Sequence, residues 1–199
     1  RLDMQNKKRF FILSAISGLL GLFTKESAVS LPGAIALVEI CFFYNGRLRD
    51  MFNVKAYRYA IIPLVMLTAM VPLIVWLRYG NASMFVPVRS SRVQDLPITP
   101  VVYFLTQMKV IPKYIFLLLI PYGQNVDHDI APAASIFELP VLAGFVFLSA
   151  ILLFAVKQFG KNRLLSFSIM WFFLTLSIES SIKPIRDVMM EHRLYLPII

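Results

Sequence analysis

The sequence predicts an all-α membrane protein, a bundle of about five transmembrane helices with one further interfacial or re-entrant helix. Hydrophobic residues make up 58% of the 199 residues, 17 of them Phe, whereas soluble domains contain about 45–50%. These residues gather in runs that approach the ~20 residues a membrane-spanning helix requires. The basic residues that give the net charge of +9 lie between the runs. This placement is typical of membrane topology and argues against a nucleic-acid-binding face.

Two apolar runs near the N-terminal end, residues 10–24 and 27–44, predict a helical hairpin. The first run contains small residues that let membrane helices approach closely, Ser14, Ser17, Gly18 and Gly21. Lys25 and Glu26 lie between the runs. Each run is slightly short of a span, and flanking Arg9, Lys25 and Tyr44 can extend to the interface to complete the crossing.

The middle of the chain contains a polar connector, a span and a loop. Residues 45–58 are polar and basic, and residues 59–77 form a third apolar run with Pro63 and Pro72 as expected kinks. Residues 78–99 are interrupted by prolines and show no helical periodicity. We therefore expect a long exposed loop there.

Residues 100–120 are long enough to span the membrane, but Gln107, Lys109, Pro112 and Lys113 fall near their middle. Two lysines at the bilayer centre cost several kcal/mol, about 2.5–3.5 each on insertion scales. An interfacial or re-entrant helix avoids that cost. Further along, residues 121–139 predict a loop, 140–156 a fourth span, 157–163 a basic turn and 164–182 a fifth span.

The distribution of basic residues predicts the orientation. If residues 100–120 do not cross, residues 1–9, 45–58 and 157–163 share one side, with 11 of the 20 Lys and Arg residues and two acids, Asp3 and Asp50. The positive-inside rule makes that side cytoplasmic. Lys25 and Glu26, the loops at 78–99 and 121–139, and the polar terminal stretch 183–197 then all face outward.

Four groups of polar residues on that face are candidates for chemistry. Lys25 with Glu26 binds a phosphate or anchors the hairpin tip at the interface. Asp127, His128 and Asp129 form a metal site, an acid/base site or a hydrogen-bonded loop. Lys109 and Lys113 share a helix face and extend a basic surface or reach lipid headgroups. The fourth group is the terminal stretch, which neutralises a polyanion or meets headgroups as a juxtamembrane loop, and it contains Lys183, Arg186, Glu191, His192, Arg193 and Tyr195.

Several classes of function are excluded or lack their motif. The single Cys41 allows no internal disulfide and no thiolate metal site. The sequence contains no phosphate-binding G-x-x-x-x-G-K-[ST] loop, no G-x-S-x-G elbow and no H-E-x-x-H. A nucleotide-dependent soluble catalyst is therefore not expected within these residues.

Three passages together resemble bacterial relatives of the transmembrane and tetratricopeptide-repeat O-mannosyltransferases, members of the GT-C superfamily. They are Leu22 to Pro32 (LFTKESAVSLP), Thr99 to Asp129, which includes TPVVYFLTQMKVIPKY and LIPYGQNVDHD, and Glu191 to Pro197 (EHRLYLP). Their order and spacing match the family over nearly the whole chain. The resemblance implies a multi-pass glycosyltransferase domain, residues 1–199, truncated at both ends.

The resemblance also implies an activity. Such enzymes move a sugar from a polyprenyl-phosphate carrier to an acceptor hydroxyl, expected on protein Ser or Thr or on a glycan, at the extracytoplasmic face of the bacterial inner membrane. The general base of the superfamily lies in a first outer loop, which we expect upstream of Arg1, and tetratricopeptide repeats are expected after Ile199. The lipid-linked donor, the acceptor and membrane lipids are the expected partners. No cofactor is assigned with certainty, and a divalent metal is possible but not supported by the sequence.

Roles follow for the candidate residues. Arg193, with Lys25, Lys183 or Arg186, is expected to contact the carrier phosphate, because fixed cations stabilise a departing phosphate anion. Glu191 and His192 are expected to orient Arg193 or the acceptor, and Tyr195 to line the lipid groove. Glu26, Asp127, His128 and Asp129 are candidates for orienting groups or acceptor contacts.

Two other classes remain open. An O-antigen ligase or polymerase also requires an outer basic face. A transporter is expected to bury charges within its spans, but only Glu39 and Glu179 lie in or near a predicted span, and no inverted repeat is visible. A non-catalytic membrane scaffold is the third alternative.

Overall fold

The computed structural model describes residues 9–10, 12–14, 16–18, 20–21, 26–43, 88–89, 97–125, 128, 130–178, 180 and 188–198. These residues are mostly helical, which confirms the predicted helical class. The chain divides into two compact units, Arg1–Arg78 and Tyr79–Ile199. The predicted connector at 45–58 and the predicted span at 59–77 lie outside the described residues.

The first unit contains helix at both predicted hairpin runs. The described residues between 9 and 21 are helical. A 3-10 turn, Glu26–Ser30, leads into helix α1, Leu31–Val38, which continues as a π-helical turn, Glu39–Phe43. Pro32 lies in the first turn of α1, where a backbone N–H has no helical partner and proline is therefore tolerated. Cys41 is fully buried.

The second unit begins with a minimal antiparallel strand pair inside the stretch predicted as a loop. Strand β1, Val88–Arg89, pairs with strand β2, Pro97–Ile98, so that Val88 lies opposite Ile98. Two residues are too few to show the alternation of apolar and polar side chains by which a strand is recognised.

Three helices follow: α2, Pro100–Leu119; α3, Leu139–Gln158; and α4, Arg163–Ser177. The Thr99 hydroxyl accepts a hydrogen bond from the Val102 N–H at 3.3 Å and caps α2. The Asn162 side chain caps α4 in the same way through the Leu165 N–H, at 3.2 Å. Among the described residues, α2 and α3 are long and apolar enough to cross a membrane, while α4 is apolar but has 15 residues.

The mid-helix Lys109, which argues from sequence against a crossing of α2, has a partner in the structure. Its ammonium lies 3.2 Å from a Glu138 carboxylate oxygen and donates to the Ala131 carbonyl at 3.0 Å. Pairing reduces the cost of a charge in a low-dielectric environment. The length and composition of α2 therefore suit a span, while the position of this helix relative to a membrane stays a prediction.

Helices α2 and α3 pack at a point of very close approach. A Cβ added at Gly144 in α3 would lie 1.9 Å from the Met108 carbonyl oxygen in α2. That carbonyl lacks its usual α-helical donor four residues on, because position 112 is proline. A glycine on the facing helix is therefore required where the freed carbonyl lies.

Helices α3 and α4 run back along each other after the short turn at 159–162. The Ser166 hydroxyl in α4 donates to the Ala155 carbonyl in α3 at 2.7 Å. A second hydrogen bond joins α4 to the C-terminal residues: the Trp171 indole N–H donates to the Leu196 carbonyl at 3.2 Å. This reversal of direction brings residues 188–198 beside the loop that connects α2 to α3.

Candidate functional site

The C-terminal segment, residues 188–194, lies against one face of α2. Met190 has extended backbone angles, φ −133° and ψ 127°, so successive carbonyls in this part of the segment point in opposite directions. The Val188 carbonyl accepts from the Gln107 side chain at 3.1 Å, on the side of α2. The Met189 carbonyl accepts instead from the His128 N–H in the α2–α3 loop, at 3.3 Å. The segment therefore joins the helix to the loop.

Three polar side chains on α2 hold the segment in place. Tyr103, Gln107 and Tyr114 are each 0% exposed, and spacings of four and seven residues put them on one helix face. The Tyr114 hydroxyl donates to the Met190 carbonyl and accepts from the Met190 N–H, both at 2.9 Å. One phenol thus binds both backbone groups of a residue that lies outside the helices, and the Met190 carbonyl also accepts from the Arg193 N–H at 3.2 Å.

Glu191 joins the loop to the C-terminal segment. One carboxylate oxygen, Oε1, lies 2.7 Å from His128 Nε2 and accepts from the Asn125 N–H at 2.8 Å. Desolvation by itself raises the pKa of Glu191, but the Asn125 N–H, the His128 hydrogen bond and the charges of His128 and Lys113 outweigh it. The pKa of Glu191 therefore lies below its usual value, and the group is a carboxylate at neutral pH.

Arg193 is buried, with only 5% of its surface exposed. Its Nη1 atom donates to the Val188 carbonyl at 3.3 Å and to the Tyr103 hydroxyl at 3.4 Å. The Glu191 carboxylate contacts His128, whereas the Arg193 guanidinium donates to a carbonyl and a phenol. In such a buried position the low dielectric strengthens the interaction of the guanidinium with any nearby anion.

Of the residues predicted from sequence, the structure joins His128 to Glu191 by a direct contact. Arg193 is on the same 3-10 turn as Glu191, but its guanidinium binds Tyr103 and Val188. His192 and Tyr195 are on the same 3-10 turn or directly after it, and both are exposed. The side chain of Glu26 and the residues Lys25, Asp127, Asp129, Lys183 and Arg186 lie outside the described part of the chain. Their predicted roles stay predictions.

Sequence reasoning missed the residues that position the site. Asn125 acts through its backbone N–H, which carries no signal in the sequence. Tyr103, Gln107 and Tyr114 do carry one, because polar-tipped side chains at helical spacing on an otherwise apolar run indicate a face that binds protein rather than lipid. Lys109, predicted to extend a basic surface or reach lipid headgroups, is paired with Glu138.

The site offers a carboxylate–imidazole pair, a neighbouring lysine and a buried guanidinium. Within the described ranges, no group of three or more His, Cys, Asp or Glu side chains is placed to hold a metal ion. The pair of Glu191 and His128 is suited to accept or donate a proton. Lys113 and Arg193 are suited to attract an anion.

No family model matches the chain, and searches of curated proteins and of solved structures also found no match.

Proposed function

We propose that this chain is part of a membrane glycosyltransferase of GT-C type, with about five spans and α2 at the outer interface. The enzyme moves a sugar from a polyprenyl-phosphate carrier to an acceptor hydroxyl, on protein Ser or Thr or on a glycan. The reaction takes place at the extracytoplasmic face of a bacterial inner membrane. The runner-up is an O-antigen ligase or polymerase, which uses the same class of donor.

One observation carries the proposal. Two of the three passages on which the family resemblance depends, Thr99 to Asp129 and Glu191 to Pro197, are far apart in sequence, yet their polar residues meet at one place. The contact between His128 and Glu191 joins residues 63 positions apart. A juxtamembrane loop that only met headgroups would not need buried, mutually fixed polar groups, since exposed lysines and arginines suffice for that.

The Arg193 guanidinium has a defined role in the proposed transfer reaction. A sugar linked through phosphate leaves behind a phosphate anion, and the barrier falls when fixed positive groups face the charge as it develops. Tyr103 and Val188 hold the Arg193 guanidinium in one position, so little reorganisation is needed when an anion arrives. A carrier chain that stays in the bilayer keeps its phosphate at the depth of this guanidinium.

The experiment compares variants of the full-length protein in proteoliposomes, with polyprenyl-phosphate mannose as donor and membrane proteins of the expressing cells as acceptors. For R193Q we expect sugar transfer to fall by about 100-fold or more, the scale of losing one transition-state donor. R163Q, at the start of α4, is the matched control and should transfer normally. Thermal unfolding of each variant shows whether it is folded.

Unchanged turnover and donor affinity in folded R193Q would remove Arg193 from this role. A wild-type protein that transfers no sugar from any polyprenyl-phosphate hexose would overturn the proposed function. Transfer to a lipid-linked glycan but to no protein would favour the runner-up.

A further inference from the structure

The turn that leads into α3, residues 134–139, exposes three large apolar side chains. Ile136, Phe137 and Leu139 are 53%, 82% and 79% exposed. Contact of such a patch with water is unfavourable, and exposed apolar patches mark sites that bind a membrane or another molecule. This entry turn is therefore a candidate for contact with an apolar partner.

Four backbone N–H groups of the entry turn have partners within the protein. Glu138 Oε1 accepts from the N–H groups of Ala134 and Ser135, the latter at 3.2 Å. The Ser135 hydroxyl accepts from the Phe137 N–H at 3.2 Å, and the Ser135 carbonyl accepts from the Glu138 N–H at 3.3 Å. Water can satisfy the N–H groups of a solvated turn, whereas backbone close to lipid has to satisfy them within the protein.

Contacts with α2 fix the position of the entry turn. The one charged residue of the turn is Glu138, and its Oε2 lies 3.2 Å from the Lys109 ammonium. Just before the turn, the Ala133 N–H donates to the Thr106 hydroxyl at 2.9 Å. The Ala131 carbonyl accepts from Lys109 at 3.0 Å. The exposed apolar side chains therefore stand on a turn that is held to α2 and belongs to the same loop as His128.

The lipid bilayer is the partner that fits this surface. Leu142 and Val146, three and seven residues after Leu139, share its helix face and are also exposed, so the apolar surface of the turn continues along α3. No charged residue interrupts it between 139 and 156. Because α3 is long and apolar enough to cross a membrane, the turn at its N-terminal end lies at an interface if α3 spans. Phe and Leu side chains of membrane-surface segments are buried there, between headgroups and acyl chains.

A protein partner fits the entry turn less well. Protein interfaces carry a rim of polar groups that form hydrogen bonds across the contact. In the entry turn, the Glu138 carboxylate and four of the N–H groups are already bonded within the protein. The side chains left for a partner are apolar.

We propose that the entry turn is a membrane anchor that inserts Ile136, Phe137 and Leu139 into the outer leaflet. The anchor ties the α2–α3 loop, which contains His128, to the membrane at the level of the lipid headgroups. This inference rests on the proposed function for the membrane and for its outer side. It does not depend on the sugar-transfer reaction.

Spin labels on single cysteines measure the depth of the anchor in the full-length protein, reconstituted in lipid nanodiscs with every native cysteine replaced. Each label reports its collision rates with oxygen, which concentrates in lipid, and with a water-soluble nickel chelate. F137C should give a ratio of oxygen to chelate collisions several-fold higher than K161C, the water control in the turn after α3. V146C, within α3, is the lipid control and should give a high ratio as well.

A ratio for F137C equal to that for K161C would overturn the inference, because the side chain would then lie in water. A label at position 137 that meets neither probe would overturn it equally, since another part of the protein would then cover the turn. If F137C does not fold, I136C gives the same comparison with the same outcomes. A ratio for V146C as low as that for K161C would instead refute the membrane placement on which the proposed function depends.

Discussion

At the scale of single residues, Glu191 is the point where two distant parts of the sequence are joined. A charged acceptor that binds a backbone N–H and an imidazole through one oxygen makes charge-assisted hydrogen bonds, which are stronger than neutral ones. The three polar groups at 191–193 have different environments in the structure. Glu191 is half-buried against the loop, His192 is exposed and Arg193 is buried.

The lowered pKa of Glu191 predicts a dependence of stability on pH. The contribution of this carboxylate is fully present above the pKa of an unfolded Glu, about 4.3, and is lost as the pH falls through the lower folded pKa. The free energy of unfolding of E191Q should therefore approach that of wild type in the acid range. Denaturant unfolding between pH 7 and pH 3 measures this convergence.

H192Q is the matched control, since the neighbouring imidazole is exposed, and its acid profile should run parallel to that of wild type. Parallel profiles for E191Q and wild type over the whole range would show that Glu191 gains nothing from its partners in the folded state.

A second residue-scale prediction concerns Tyr114. Y114F leaves the Met190 N–H without its partner, while the Met190 carbonyl keeps its hydrogen bond from the Arg193 N–H at 3.2 Å. A buried unsatisfied group costs about 1–3 kcal/mol, and we expect a loss of this size in the free energy of unfolding. Y122F removes the hydroxyl of a residue that is 84% exposed and should change stability by less than about 0.5 kcal/mol. Equal effects of the two substitutions would contradict the proposed docking of the segment on α2.

At the scale of elements, the contact between α2 and α3 depends on a proline and a glycine on different helices. Pro112 removes the donor to the Met108 carbonyl, and Gly144 leaves room for the carbonyl that is freed. Helix α3 also has many exposed apolar residues, which include Leu142, Val146, Leu153 and Val156. A surface of this kind is unfavourable in water and suits contact with lipid.

A double-mutant cycle tests this pairing. G144A should destabilise the fold by about 1–3 kcal/mol because the new methyl overlaps the Met108 carbonyl, while G160A, where a Cβ would meet nothing within 4 Å, should be near neutral. P112A restores the missing N–H and lets the carbonyl return to the helix, so G144A should cost less in that background. Additive effects, measured by thermal unfolding in detergent, would show that the two positions are independent.

Sequence patterns could predict the elements but not how they meet. The runs at 100–120, 140–156 and 164–182 correspond to α2, α3 and α4 because long apolar stretches with capping residues leave few alternatives. The strand pair could not be predicted because each strand is only two residues long. The pairing of His128 with Glu191 is equally invisible, since neither helical nor strand periodicity links positions in two irregular segments. In the sequence, Gly144 looks like any other small residue of an apolar run. Only the structure shows that the Met108 carbonyl faces it and that a side chain would not fit there.

At the scale of the molecule, the helices and loops of the second unit predict a membrane topology for this unit. Helix α3 is long and apolar enough to cross, and 22% of its most apolar window is buried within the protein. If α3 spans, the α2–α3 loop and the turn at 159–162 are on opposite sides. The contact of His128 with Glu191 then puts the C-terminal segment on the side of the loop, and the basic turn makes the other side cytoplasmic.

Cysteine labelling of the full-length protein in spheroplasts tests this arrangement most directly. Cys41 is the single cysteine of these 199 residues. C41S, combined with replacement of every cysteine elsewhere in the full-length protein, gives a background into which one cysteine is placed at Tyr122, Lys161 or Ile198, all exposed positions. A membrane-impermeant maleimide should label positions 122 and 198 in intact spheroplasts and position 161 only after permeabilisation. Labelling of position 161 from outside, with 122 and 198 protected until the membrane is opened, would contradict an extracytoplasmic site for sugar transfer.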